Sequence, residues 1–194
     1  PQPDSYENMN LVDPEMLDLY DYAAENGLIL MIHPELANMA DLRRALSHNS
    51  KTIFLLHGLI DSGAKEEGIA DALEEILQNH SNAYFSVDAA LMLDYSINDA
   101  CMYDKNQFMA NLRSEKLYAE LISESVAFWK PAIEAHPSRM MWGTDVQYWW
   151  HYDRDVLHEI VEFGRQFISH LDPIIQERFA YRNVVEMLDL NLQE

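Results

Sequence analysis

The sequence predicts an α/β fold with a parallel sheet, and three observations carry that prediction. Four short apolar runs, Leu28–Ile32, Thr52–Leu56, Ala83–Val87 and Arg139–Trp142, are separated by segments with helical periodicity. The first two runs are nearly continuous rather than alternating, the pattern of strands buried on both faces. Strand and helix alternate through the whole chain. Consecutive parallel strands joined by right-handed helical crossovers give either an open doubly wound sheet or a closed (β/α) barrel.

The elements follow in order. Asp13-Pro14-Glu15 pairs a capping residue with Pro in the first turn, a helix start. The helix it opens puts Met16, Leu17, Tyr20 and Ala24 on one face and ends at Asn26-Gly27, Gly27 being suited to a left-handed cap. A second helix is expected from about Ala37 to Ser47. A third, Lys65 to Asn79, carries Ile69, Ala72, Leu73, Ile76 and Leu77 at helical spacing. The longest is expected from near Asn111 to about Ala135, with an interruption at Pro131. Two more follow, near Asp153–His170 and Pro173–Asp189. The connection Ala89–Ala110 is long, and such loops are more often lids or binding segments than simple links. No repeat or low-complexity linker divides the chain, so residues 1–194 are expected to form one domain.

Composition narrows the function. The chain is 48% hydrophobic and 24% charged, an ordinary globular balance with no membrane-length apolar stretch. A net charge of −20 argues against phosphate-directed nucleic-acid binding. The lone cysteine, Cys101, suits a reducing compartment, so a cytoplasmic location is expected. Pro1 is not an initiator Met and the first residues do not resemble a secretory signal, so the chain is expected to be part of something longer.

Three strands end in residues that can bind a metal or move a proton. These are His33 before Pro34, His57 before Gly58, and Asp145 after Gly143-Thr144; Asp88 is a weaker fourth instance. In barrels and doubly wound sheets, active sites form at the C-terminal ends of the strands. Neutral imidazole and carboxylate converging there suit Zn²⁺ or a similar ion. Each residue alone has a structural explanation: a hydrogen-bonded His, or an Asp that caps the next helix. Their shared topological position is what points to a site. Tyr148-Trp149-Trp150-His151 either lines the mouth or packs in the core, and His151 is a further acid–base candidate. Asp61 is placed in the mouth or in a turn. His48, His80, His136, His158 and His170 fall in or beside helices and read as surface or capping residues. Met39, Met92, Met109 and Met187 read as core filling, and Glu66, Glu67, Glu74 and Glu75 as solvated surface.

The order of apolar strand–His33, apolar strand–His57 and strand–Gly143-Thr144-Asp145 resembles strands five, six and eight of the amidohydrolase superfamily. The nearer resemblance is to the branch with decarboxylases of the aminocarboxymuconate-semialdehyde type. Pro137-Ser-Arg139-Met-Met-Trp-Gly-Thr-Asp145 resembles its eighth strand, and Tyr181-Arg-Asn183-Val-Val-Glu-Met-Leu188 its closing helix. The resemblance covers nearly the whole chain. It implies the C-terminal half of a (β/α)8 TIM barrel, with strands five to eight present and the N-terminal half absent. It implies His33 as a metal ligand, and Asp145 as a ligand that also takes a proton from metal-bound water. His57 is implied as an acid–base residue or a ligand to a second metal. The expected metal is a divalent ion, Zn before others.

The family's His-x-His pair is absent from these 194 residues. His158-Glu159 is not followed by the second His of a zincin motif. Two protein ligands fall short of the usual three of catalytic zinc, and four strands do not close an eight-stranded barrel. A segment of a larger protein is expected; the alternative is a half-barrel completed by a partner or by another copy, as a homo-oligomer. The functional expectation is a metal-dependent hydrolase acting on a small carboxylate, lactone or amide. The alternatives are a decarboxylase on the same scaffold and a non-catalytic half-barrel that binds a partner. Only Gly58 follows His57, where the decarboxylase branch often carries a glycine-rich turn; this favours hydrolysis.

Overall fold

The computed structural model describes residues 10–33, 38–57, 68–88, 104–146 and 148–188. Helix α1 (Pro14–Asn26) starts where Asp13-Pro14 predicts. Asp13 caps it through its backbone carbonyl, which accepts from the Met16 and Leu17 N–H groups at 2.9 and 3.0 Å. Gly27 ends it at φ 64°, ψ 31°, a left-handed conformation that Gly adopts without a Cβ penalty. Strand β1 (Ile29–Ile32), α2 (Met39–His48), β2 (Ile53–His57), α3 (Ile69–Asn79) and β3 (Ala83–Asp88) follow. Then come α4 (Lys105–Leu112), α5 (Glu115–Ala135), β4 (Met140–Gly143), a 3-10 turn (Trp149–Tyr152) and α6 (Arg154–Ile168). The chain closes with α7 (Pro173–Glu177), a π-helical turn (Arg178–Arg182) and α8 (Asn183–Met187).

The strands form one parallel sheet in the order β1-β2-β3-β4. All four lie within a residue or two of the apolar runs that predict them, so the α/β class and its alternation stand. By its internal contacts the chain divides into two compact units, Pro1–Asp61 with Glu67–Tyr84, and Ser62–Glu66 with Phe85–Glu194.

In the first unit the core is built on Tyr20, Leu42, Leu46, Phe54, Leu56 and Ile76, all essentially inaccessible. The Tyr20 and Phe54 rings meet edge to face with centroids 5.1 Å apart. Tyr20 Oη donates to the Leu11 carbonyl at 2.8 Å, so its polar end is satisfied inside the core. Asn82 Nδ2 donates to the Leu46 and Thr52 carbonyls at 3.1 and 3.0 Å, tying the end of α2 to the approach to β2. Glu75 is not simply solvated. Arg43 grips it with two parallel N–H donors, one at 2.8 Å, and holds its carboxyl below the usual range.

The prediction that β1 and β2 are buried on both faces fails. Phe54 and Leu56 are fully buried while Ile53, Leu55 and His57 are half-exposed, so β2 alternates. In β1, Met31 is 66% exposed and Leu28, just before the strand, 47%. A continuous apolar run marks a strand correctly but cannot state what covers its second face.

In the second unit, Phe85 of β3 packs against Trp129 of α5 with centroids 5.6 Å apart. Trp142 of β4 lies so close to α6 that a Cβ on Gly164 would sit 2.2 Å from its ring carbon Cζ2. Asn183 at the start of α8 sends both Nδ2 protons to the β4 approach, donating to the Pro137 and Met140 carbonyls at 2.8 and 2.7 Å. Asn183→Ala leaves two carbonyls without these donors. The expected cost is about 2 kcal/mol, read as a lower urea midpoint with an unchanged slope.

The long helix expected over 111–135 is present from Glu115 to Ala135, and Asn111 and Leu112 belong to the end of α4. The break is at Arg113–Ser114, where Ser114 leaves the helical region (φ −80°, ψ 106°) and caps α5. Pro131 does not interrupt α5; it and Ala127, whose carbonyl it cannot serve, both lie on the exposed side, where water can take that bond. The end of the long 89–110 connection is helical, as α4, its start capped by Asp104 Oδ1 accepting from the Asn106 and Gln107 N–H groups. Residues 89–103 lie outside the described residues. Among the described residues, no helix is long and apolar enough to cross a membrane.

Candidate functional site

The strand register explains the first cluster. Ile29 pairs with Ile53 and Ile32 with Leu56, so the next residues, His33 and His57, fall abreast at the C-terminal ends of β1 and β2. Adjacent strands lie about 4.8 Å apart and in-register neighbours project to one face. The two imidazoles accordingly sit together, with ring centroids 5.5 Å apart and planes at 73°. His57 shares the face of Ile53 and Leu55, opposite the buried Phe54 and Leu56. His33 is exposed and His57 half-buried.

The spacing of this pair is close to that of two imidazoles sharing one ion. Two imidazoles on one tetrahedral zinc, with Zn–N about 2.0–2.1 Å, place their centroids roughly 5 Å apart. The donor set within the unit is incomplete: no group of three or more His, Cys, Asp or Glu among the described residues is arranged to hold an ion. Further ligands would have to come from elsewhere.

The second unit carries Asp145. It is the only non-glycine among the described residues with positive φ, at 46°. Aspartate tolerates that region better than most side chains, and such outliers concentrate at functional turns. Beside it stands His151, 1% exposed and ringed by Trp150, Tyr148 and Phe108 at centroid distances of 4.2, 5.3 and 5.8 Å. Burial lowers the His151 pKa and the Asp145 carboxylate opposes that shift, so the imidazole is neutral near pH 7. Its Nδ1 accepts from the Tyr148 N–H at 3.4 Å, which places the ring proton on Nε2. Of the aromatic run after Asp145, Trp150 and His151 are core and Trp149, 80% exposed, faces solvent. Core packing therefore holds for Trp150 and His151.

A feature the sequence reading ranked low is Asp88, the last residue of β3. It is 2% exposed, and Ser86, 8% exposed, donates from Oγ to its Oδ1 at 2.7 Å. The register sets Asp88 beside Gly143. A Cβ on residue 143 would lie 2.0 Å from Asp88 Oδ1 and 2.7 Å from Ser86 Oγ. Glycine is required there by close approach, and a Gly inside the strand-end motif was the available signal.

The remaining histidines have local partners. His48 Nε2 donates to Asp21 at 3.1 Å, and His170 Nδ1 donates to the Gln166 carbonyl at 2.8 Å. His80 and His136 occupy the caps that end α3 and α5, and His158 is on the exposed side of α6. Met39 and Met109 are buried as expected. Asp61, Gly58, Glu66, Glu67 and Met92 lie outside the described residues.

With this geometry in view, comparison with known proteins gives a consistent answer on fold. No protein-family model matches the chain, and no curated protein does. Solved structures do. A zinc-bound amidohydrolase from Burkholderia multivorans superposes with a TM-score of 0.65 at 12% identity, covering 92% of this chain and 58% of that one. An amidohydrolase from Bifidobacterium longum subsp. infantis gives 0.52 at 13%, over 93% and 57%. A protein from Agrobacterium tumefaciens gives 0.53 at 16%, over 94% and 57%. The fold is shared with part of an amidohydrolase. The chain spans a little under three fifths of the length of these structures.

Proposed function

We propose that this chain is the C-terminal half of a metal-dependent hydrolase of the amidohydrolase type, acting on a small carboxylate, lactone or amide. The observation that carries the proposal is the pair His33 and His57, set abreast at two neighbouring strand ends where one can serve as a ligand and the other as an acid–base group. In this reading His33 and Asp145 are metal ligands, zinc being the first choice, with the remaining ligands supplied by parts of the protein outside these residues. Such an ion lowers the pKa of bound water towards neutrality. With such an ion bound, the Asp145 carboxylate would accept the proton, and His57 would serve as the acid–base residue. The exposed apolar side chains of Leu28 and Met31 at the first strand support the half-barrel part of the reading, since they call for cover.

The test is metal content. With the remaining ligands present, the protein is expected to purify with about one divalent ion per chain and to lose it in His33→Ala or in Asp145→Ala, while the 194 residues alone are expected to hold metal weakly or not at all. Inductively coupled plasma mass spectrometry on the three proteins decides the matter. Metal content equal in both variants and the parent would sink the assignment.

A further inference from the structure

Two connections leave the C-terminal ends of β3 and β4, and within the second unit they are tied to each other. Helix α4 ends the connection that follows β3, and the Trp149–Tyr152 turn leads from β4 into α6. Lys105, the first residue of α4, donates from Nζ to Asp153 Oδ2 at 2.7 Å and to Asp155 Oδ1 at 3.4 Å. One turn further along α4, Phe108 meets Trp150 and His151 with ring centroids 5.3 and 5.8 Å apart.

Helix physics does not explain where these charges stand. A cation in the first turn opposes the helix dipole, so Lys105 weakens α4 taken alone. Asp153 holds the N-cap position of α6, where an aspartate ordinarily accepts from the first N–H groups of the helix. Its side chain makes no such bond and turns to Lys105 instead. The Asp155 carboxylate accepts from its own N–H and that of Val156 in its place. The bond from Lys105 to Asp153 in turn raises the lysine pKa above its ordinary value. Both partners give up a local preference for a contact between the two connections.

We propose that Lys105, paired with Asp153 and Asp155, is an electrostatic latch that docks α4 on the turn after β4, so that the two strand-end connections open and close as one unit. The latch does not depend on the metal assignment above. With Lys105 engaged, Phe108 is held on the Trp150 and His151 rings. With Lys105 released, Asp153 regains the start of α6, which lowers the cost of opening. Ion pairs this open to solvent are weak one by one and yield to salt.

Native-state hydrogen exchange on the full chain, read by mass spectrometry, tests the latch. The reporting amide in α4 is that of Phe108, which donates to the Asp104 carbonyl at 3.0 Å. Those at the turn are His151 and Asp153, which donate to the Tyr148 and Trp150 carbonyls at 2.9 and 3.1 Å. Lys105→Met keeps the apolar stem and removes the charge, while Asp153→Asn keeps a good N-cap and removes the charge. If each residue served only its own helix, Lys105→Met would slow exchange in α4 and Asp153→Asn would change nothing. With the latch, both variants are expected to exchange about threefold faster in α4 and in the turn, the scale of an exposed ion pair. The acceleration is expected at about 0.01 M salt and is expected to vanish at about 1 M, where charges are screened over a few ångströms. Helix α5 is the reference and is expected to keep the parent's rates. Slowed or unchanged exchange in α4, or acceleration that survives high salt, overturns the latch. Acceleration confined to α4, with the turn at the parent's rate, overturns the joint opening. Acceleration that extends equally into α5 reports a global loss of stability and overturns it as well.

Discussion

Gly143→Ala is expected to destabilise the fold by about 3 kcal/mol, far beyond what one methyl group does at an ordinary strand position. The added Cβ would fall 2.0 Å from Asp88 Oδ1 and 2.7 Å from Ser86 Oγ. Both side chains are buried, so neither atom can retreat into solvent. Either the two strands separate or the carboxylate swings away and gives up its 2.7 Å bond from Ser86. A buried carboxylate deprived of a donor bears a cost of about 1–3 kcal/mol, to which the overlap itself adds a similar amount. Thermal and urea unfolding measure the loss. A double-mutant cycle locates its origin: in an Asp88→Gly background the same Gly143→Ala change is expected to cost less than about 1 kcal/mol. Equal cost in both backgrounds would place the strain elsewhere.

Phe54→Ala is expected to have the larger effect, about 3–5 kcal/mol, or roughly 10 °C in melting temperature for a chain of this size. Phe54 is fully buried at the centre of β2, where its ring meets Tyr20 edge to face. Tyr20 is itself pinned, because its hydroxyl donates to Leu11 and its carbonyl accepts from Thr52 Oγ1 at 2.8 Å. A core tied in this way collapses poorly into the cavity, which puts the change at the costly end of the range. The same strand ends in His57, so the change is also expected to loosen the imidazole pair. Phe54→Leu, which fills much of the space, is expected to recover more than half of the loss. If Phe54→Ala melts within a few degrees of the parent, the first unit's core is not centred on this contact.

Much of the scaffold was legible in the sequence because the signals are local. Asp13-Pro14 and Gly27 mark both ends of α1 through backbone preferences that involve only their neighbours. The four apolar runs located the four strands, and the chain order of runs and helices implied the parallel connections. His33, His57 and Asp145 were recognisable as candidates because each follows a strand directly.

What the sequence misjudged has long-range causes. Pro131 is a helix breaker by local rule, yet it lies on the exposed side of α5, where water can take its lost bond; the break came instead at Arg113–Ser114. The β1 run reads as doubly buried, but exposure depends on what stands opposite, and Met31 is open. Asp88 read as a weak candidate because nothing near it in the chain predicts burial or the Ser86 bond in place.

By itself, then, the sequence determined the α/β class, the strand positions and which side chains stand at the strand ends. Tertiary structure decided which of those side chains meet. A register linking residues 24 positions apart sets His33 beside His57, and another sets Asp88 over Gly143. The positive φ at Asp145 was likewise not marked by any glycine in the chain. Local preferences act over a few bonds and can be read along the chain. Register and close approach arise only when distant segments pack, and those decide the chemistry of the candidate site.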